Sequence, residues 1–173
     1  MLDGFFQYTI VRNLSFRSTA AYILSRTRNK SYDDTLTNTA KTYNKQPFID
    51  LDNMQVAQIT NSNVLTYTNT SLLGTQHALS VLVGQEINQT TSDADHLELR
   101  YFPVGTTADE AFNNLQLAAA STQAYPQPLP SSSEVPVTLA SFFSSIDYNY
   151  AQRYYAKFTV RADGSSIFSE KNR

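Results

Sequence analysis

From Val137 to Asp163 the chain reads VTLASFFSSIDYNYAQRYYAKFTVRAD, with apolar and polar residues alternating along two arms that meet at Ala151-Gln152-Arg153. A period of two marks a β-strand, because successive side chains leave opposite faces of the sheet. On the second arm Tyr154, Ala156, Phe158, Val160 and Ala162 fall on one face. Tyr155, Lys157, Thr159, Arg161 and Asp163 fall on the other. A hairpin divided in this way needs an apolar medium against one face and water against the other. That medium is either a protein core or the hydrocarbon of a membrane.

The bulk composition narrows the choice. With 173 residues the chain suffices for one domain. Only 16% of its residues are charged, against roughly a quarter in an ordinary soluble domain, so neutral polar groups do most of the solvation. A net charge of -2 gives no electrostatic footprint for nucleic acid. The absence of Cys removes disulfides, thiolate metal sites and cysteine nucleophiles together. The stretch MLDGFFQYTIVRN has neither the basic nor the apolar region of a signal peptide. No apolar run approaches the roughly 20 residues a membrane helix requires, but a barrel strand needs only about 9 to 11 alternating residues.

Two further hairpins are predicted by the same alternation. Phe6, Tyr8 and Ile10 oppose Gln7 and Thr9, the chain turns at about Arg12-Asn13, and Leu14 to Thr27 alternates again. Leu65 and Tyr67 oppose Thr66 and Thr68. After a brief connection from Ser71 to Gln76, Leu79, Val81, Val83 and Ile87 oppose Ser80, Leu82, Gly84 and Glu86. The predicted hairpins thus cover about 5–27, 61–89 and 137–164, with long loops at about 28–60 and 90–136. Prolines 103, 126, 128, 130 and 136 argue against a central strand in the second loop. Within it Thr107-Ala108-Asp109-Glu110 matches a capping box, which predicts one short helix.

The connections therefore run short, long, short, long, short. In an antiparallel meander successive connections fall at opposite ends, so the short turns share one end and the long loops the other. Outer-membrane barrels have this asymmetry. The expected fold is all-β, an antiparallel up-and-down meander of about six strands. A soluble β-sandwich that binds a ligand is the alternative, since its buried face would use the same apolar set.

The residues also resemble a family. Ala140-Ser141-Phe142-Phe143, Asp147-Tyr148-Asn149-Tyr150, Arg153-Tyr154, Val160-Arg161-Ala162-Asp163-Gly164-Ser165-Ser166, Phe168 and Asn172-Arg173 are similar to the mid-barrel signature of SusC/RagA TonB-dependent outer-membrane transporters. Asn13-Leu14-Ser15-Phe16-Arg17-Ser18, Leu65-Thr66-Tyr67 and Val83-Gly84-Gln85-Glu86 follow the family's order. Departures are Ser144-Ser145, Ala151-Gln152 and Ser169, where the family usually has Gly-Arg, a charged turn and Gly. The resemblance implies a segment of a 22-stranded transmembrane β-barrel in the bacterial outer membrane. It further implies a plug, a SusD-like surface lipoprotein, energy relayed by the TonB complex and a glycan or peptide substrate. On it the chain is an internal piece, inactive alone, with the plug, the TonB box and the closing strands outside it.

An Arg on the lipid face at mid-bilayer costs about 2 to 4 kcal/mol. Arg17, Glu86, Lys157, Arg161 and Asp163 are therefore expected to face the lumen, either touching substrate or merely solvating the wall and pairing with one another. Tyr8, Tyr22, Tyr67, Tyr148 and Tyr150 suit an interfacial aromatic girdle, and equally the ordinary β-propensity of Tyr. His77 and His96 stand apart in sequence, without clustered ligand partners, which favours a structural role over a metal site. No Ser has a nucleophile-elbow setting and no carboxylate pair is suitably spaced, so the chain is expected to be no enzyme and to hold no catalytic group, cofactor or metal.

Overall fold

The structure, a computed structural model, describes residues 1–71, 74 and 76–168. Leu72, Leu73 and Thr75 of the connection expected at Ser71 to Gln76 lie outside the described residues, as do Ser169 and Asn172-Arg173. Six strands form one sheet in chain order. They are β1 (Leu2–Val11), β2 (Leu14–Asp33), β3 (Phe48–Asn69), β4 (His77–Leu99), β5 (Ser131–Tyr150) and β6 (Tyr154–Ser165). The meander is antiparallel, which is the expected fold. One sheet of nearest neighbours does not match the two packed sheets of the sandwich alternative.

The hairpin that first divides into two faces does so in space. Phe142 pairs with Ala162, Ser144 with Val160 and Ile146 with Phe158 on one face. Ser141 pairs with Asp163, Phe143 with Arg161, Ser145 with Thr159 and Asp147 with Lys157 on the other. The turn joining β5 to β6 lies where it is predicted, with Arg153 N–H donating to Tyr150 O at 3.0 Å. Ala151 (φ 52°) and Gln152 (φ 55°) both occupy the left-handed region. Two such residues make the turn twist with the strands, as tight hairpins require, although neither is the Gly or Asn that adopts this region most easily.

The strands overrun their predicted ends. β2 continues to Asp33 and β3 begins at Phe48, so the loop expected at 28–60 shrinks to 34–47. β4 continues to Leu99 and β5 begins at Ser131, so the loop expected at 90–136 shrinks to 100–130. The added residues are rich in Ser, Thr, Asn and Asp. Arg28 to Asp33 and Thr90 to Asp95 are polar on both faces and leave no alternation, whereas Phe48 to Asp52 and His96 to Leu99 do alternate over lengths too short to stand out from the polar runs beside them. Pro136 lies within β5 despite its missing N–H. The β5–β6 ladder runs from Leu139 to Tyr150, so β6 asks no hydrogen bond of it.

Two compact units share the chain. Unit 1 comprises Met1–Leu24, Ala57–Thr91 and Pro136–Arg173, and unit 2 comprises Ser25–Val56 and Ser92–Val135. All three short connections belong to unit 1 and both long ones to unit 2. Unit 2 has an ordinary core. Ile49, Leu51, Phe102 and Ala111 are buried, with Tyr32, Leu97, Leu99 and Phe112 packed against them. The Gln127 side chain ties the long connection together by bonding both the N–H and the C=O of Arg100 and the C=O of Ala119. All the buried hydrophobic residues described, Ala40, Phe48, Ile49, Leu51, Tyr101, Phe102 and Ala111, belong to unit 2. In unit 1 the apolar side chains are exposed instead, with Phe142 at 63%, Phe158 at 65% and Val160 at 53%.

The predicted helix is present as α2 (Ala108–Asn113), after α1 (Asn38–Thr42), which the sequence pattern did not announce. Both halves of the capping box form. The Glu110 amide donates to Thr107 Oγ1 at 3.3 Å, and the Thr107 amide donates to Glu110 Oε2 at 2.9 Å. These bonds from Thr107, backbone first and hydroxyl second, hold the Glu110 carboxyl below the usual range. Because its folded value is depressed, the stabilisation is complete above the ordinary carboxylate range and is lost as pH falls through the lowered value. Hydrogen-exchange protection at the Thr107 and Glu110 amides should therefore hold at neutral pH and collapse in acid. Glu110→Gln should remove the pH dependence, and an unchanged acid profile in that variant would contradict the assignment.

Candidate functional site

In unit 1 the polar face of β5 and β6 carries a continuous network built by strand spacing. Arg161 Nε donates to Asp163 Oδ1 at 2.8 Å and Arg161 Nη2 to Ser141 Oγ at 3.0 Å. Ser141 is 1% exposed, so this guanidinium satisfies a hydroxyl removed from solvent. Four residues along β5 from Ser141 and two along β6 from Arg161, Ser145 Oγ meets Thr159 Oγ1 at 3.2 Å. Beyond it Lys157 Nζ lies 3.1 Å from Asp147 Oδ1. Phe143 occupies the gap between these pairs, with the Arg161 guanidinium 5.8 Å from its ring centre. Toward the turn the face opens into a groove of about 450 Å³ whose walls include Thr68, Ser80, Asp147, Asn149, Tyr155 and Lys157.

The missing Cβ of Gly84 in β4 makes room for the Phe143 ring. A Cβ there would stand 2.5 Å from two carbons of the Phe143 ring and 3.2 Å from the Asn63 carbonyl oxygen. Glu86, two residues on in β4, shares the face of Gly84 by strand alternation. Arg17 belongs to β2, paired with Gln7 and stacked over the Phe5 ring at 4.4 Å. The structure thus unites Lys157, Arg161 and Asp163 in one network and sets Glu86 on the face that Phe143 covers. Arg17 makes none of the contacts described for that network.

The opposite face ends in an aromatic cluster at the turn. His77 Nδ1 is 2.6 Å from Tyr148 Oη, the His77 ring lies 4.9 Å from that of Tyr150, and Tyr150 stacks on Tyr154 at 6.3 Å. His77 is thus held structurally, as expected. His96 is not alone. In unit 2 Asp52 accepts from its Nδ1 at 2.7 Å, and ligand atoms of Asp50, His96 and Glu98 lie within 4.8 Å of one another. Separation along the chain hid this cluster, because Asp50 belongs to β3 and the other two to β4. The readable signal was the i, i+2 spacing of His96 and Glu98, which shares a face in a strand and not in a helix.

No family model matches the chain. Among curated proteins it is similar to TonB-dependent receptor P3 of Formosa agariphila, at 33% identity over 111 residues, which are 64% of this chain and 10% of that protein. The fold matches the solved RagAB peptide transporter with a TM-score of 0.78 at 22% identity, covering 98% of this chain and 18% of the transporter chain. It matches the RagAB peptide importer in its 'closed-closed' state with a TM-score of 0.79 at 23% identity and 99% coverage. These likenesses support a fragment of a SusC/RagA TonB-dependent receptor. It spans about a tenth of the curated receptor and less than a fifth of the solved transporter chains. The antiparallel six-strand meander matches a segment of a β-barrel transporter.

The Gly84–Phe143 contact gives a test. Gly84→Ala should destabilise the folded receptor by about 1 to 3 kcal/mol through overpacking. Combining it with Phe143→Ala should recover part of that loss, measured as a double-mutant cycle from urea-unfolding midpoints. Additive losses would show that the two residues do not share space.

Proposed function

We propose that the chain forms part of the wall of an outer-membrane importer. Its Phe142, Ile146, Phe158 and Val160 face meets lipid, while the face carrying Lys157, Arg161 and Asp163 lines the aqueous interior. The observation that supports this most is that unit 1 carries its large apolar side chains exposed while every buried hydrophobic residue described belongs to unit 2. A soluble domain with such a face would lose about 1.5 to 3 kcal/mol for each large side chain left in water. Glu86 belongs to the interior face with Gly84, and Arg17 is assigned there by the cost of a guanidinium in hydrocarbon. Tyr148, Tyr150 and Tyr154 then form part of an interfacial girdle. The partners are a SusD-like surface lipoprotein and the TonB complex, and the cargo is a glycan or a peptide. The RagAB match supports the peptide.

Site-directed labels on the whole receptor in vesicles test the facing. Labels at Phe158 and Val160 should be quenched by lipid-phase reagents and those at Lys157 and Thr159 by aqueous ones. Quenching of Phe158 from water alone would overturn the orientation.

The same reading limits what the isolated chain does. β1 and β6 are the sheet's edges, with 10 and 12 residues. About half the residues of an edge strand direct both backbone groups outward, and each unpaired group in lipid costs several kcal/mol, so the two edges together cost tens of kcal/mol. Expressed alone, the chain should aggregate or be degraded. Recovery from outer membranes of a heat-modifiable, protease-resistant monomer would contradict this.

A further inference from the structure

The cluster around His96 has no part in the wall described above. Ile49 and Leu51 of β3 enter the unit 2 core and Leu97 and Leu99 of β4 pack on it. Strand alternation therefore turns Asp50, Asp52, His96 and Glu98 to the opposite face. Three carboxylates surround one imidazole there. Arg100 Nε engages Glu98 Oε1 and stacks over the Tyr43 ring at 4.3 Å, leaving Glu98 Oε2 open. The Asp50 side chain makes no hydrogen bond among the described residues, although it is partly buried. A half-buried carboxylate crowded by two others, with neither a donor nor a cation of its own, is a group that lacks a partner.

We propose that Asp50, His96 and Glu98 bind one divalent transition-metal ion, with Asp52 as the residue that positions His96. Donor chemistry selects the class of ion. One imidazole nitrogen with two carboxylate oxygens suits zinc, which takes such ligands at about 2.0 to 2.2 Å and accepts water in a fourth position. Donors in a tetrahedral site of that size stand about 3.4 Å apart. The present separations, all within 4.8 Å, close by side-chain rotation of no more than about 1.4 Å.

One feature outside the three ligands points the same way. The Asp52 carboxylate accepts from His96 Nδ1, which fixes the ring tautomer and leaves Nε2 as an acceptor. Metal-ligating histidines are held by a carboxylate in this manner. The His96 side chain is itself about half exposed, so an ion reaches it directly from solvent.

The test uses the whole receptor purified in detergent, stripped by a chelator and titrated with zinc chloride, with bound metal counted and affinity read by calorimetry. Asp50→Asn is the cleanest variant, because that side chain makes no hydrogen bond among the described residues to lose. It should lower the stoichiometry by one zinc ion per receptor. His96→Ala should do the same, and Asp52→Asn should keep the stoichiometry while weakening the ion by about 10 to 100-fold. Cobalt loaded in place of zinc should give visible absorption bands that vanish in Asp50→Asn. Heat-modifiable mobility identifies any variant that fails to fold, and the cobalt bands of the unmutated receptor decide in that event. No zinc on the unmutated receptor, or equal stoichiometry and affinity in Asp50→Asn, overturns the proposal. The site stands on unit 2 geometry alone, so its failure leaves the barrel orientation intact, and the labelling result tests that separately.

Discussion

A strand that crosses hydrocarbon must satisfy its own backbone, because no water is present to do so. On the proposed orientation this requirement accounts for most of unit 1. It demands nearest-neighbour pairing throughout, which the order β1 to β6 supplies. It also demands short connections, which the two residues between β1 and β2 and the three between β5 and β6 provide. The left-handed conformations of Ala151 and Gln152 are accepted on this account: an αL alanine costs about 1 to 2 kcal/mol, less than one backbone group left unpaired in lipid.

Unit 2 answers to a different medium. Its apolar residues turn inward against α2 and the long connection. Strands of 20, 22, 23 and 20 residues from β2 to β5 exceed by about twofold the 9 to 11 residues a bilayer requires. On the proposed orientation the two lengths of each strand meet different media, and in unit 2 the alternating apolar residues of β3 and β4 form a core.

That change explains what could be read without coordinates. The faces of β5 and β6 were legible down to individual residues, because Phe158 and Val160 on one side and Lys157 and Arg161 on the other have no common environment. The capping box at Thr107 and Glu110 was legible because it is entirely local. The outer parts of β2 and β4 were not, since Arg28 to Asp33 and Ser92 to Asp95 are polar on both faces and carry no period of two. α1 was missed for a related reason: only Ala40 of its five residues is buried, so it has no apolar stripe. The partners of His96 were invisible because a cross-strand neighbour is set by register, and register between distant strands is a property of the assembled sheet.

The turns of unit 1 also bond to their neighbours. Ala151 N–H donates to Gln76 O at 2.7 Å, and Thr68 N–H donates to Asn13 O at 2.8 Å. Each of these bonds joins one hairpin to the one laid down before it. A strand that slipped by a single residue would reverse which of its side chains meet lipid, and it would also break the bond to the preceding hairpin. Alignment errors are thereby made local and costly at the moment they arise. A wall assembled hairpin by hairpin in this way checks each addition against the last, and does not depend on closure of the whole to reveal a mistake.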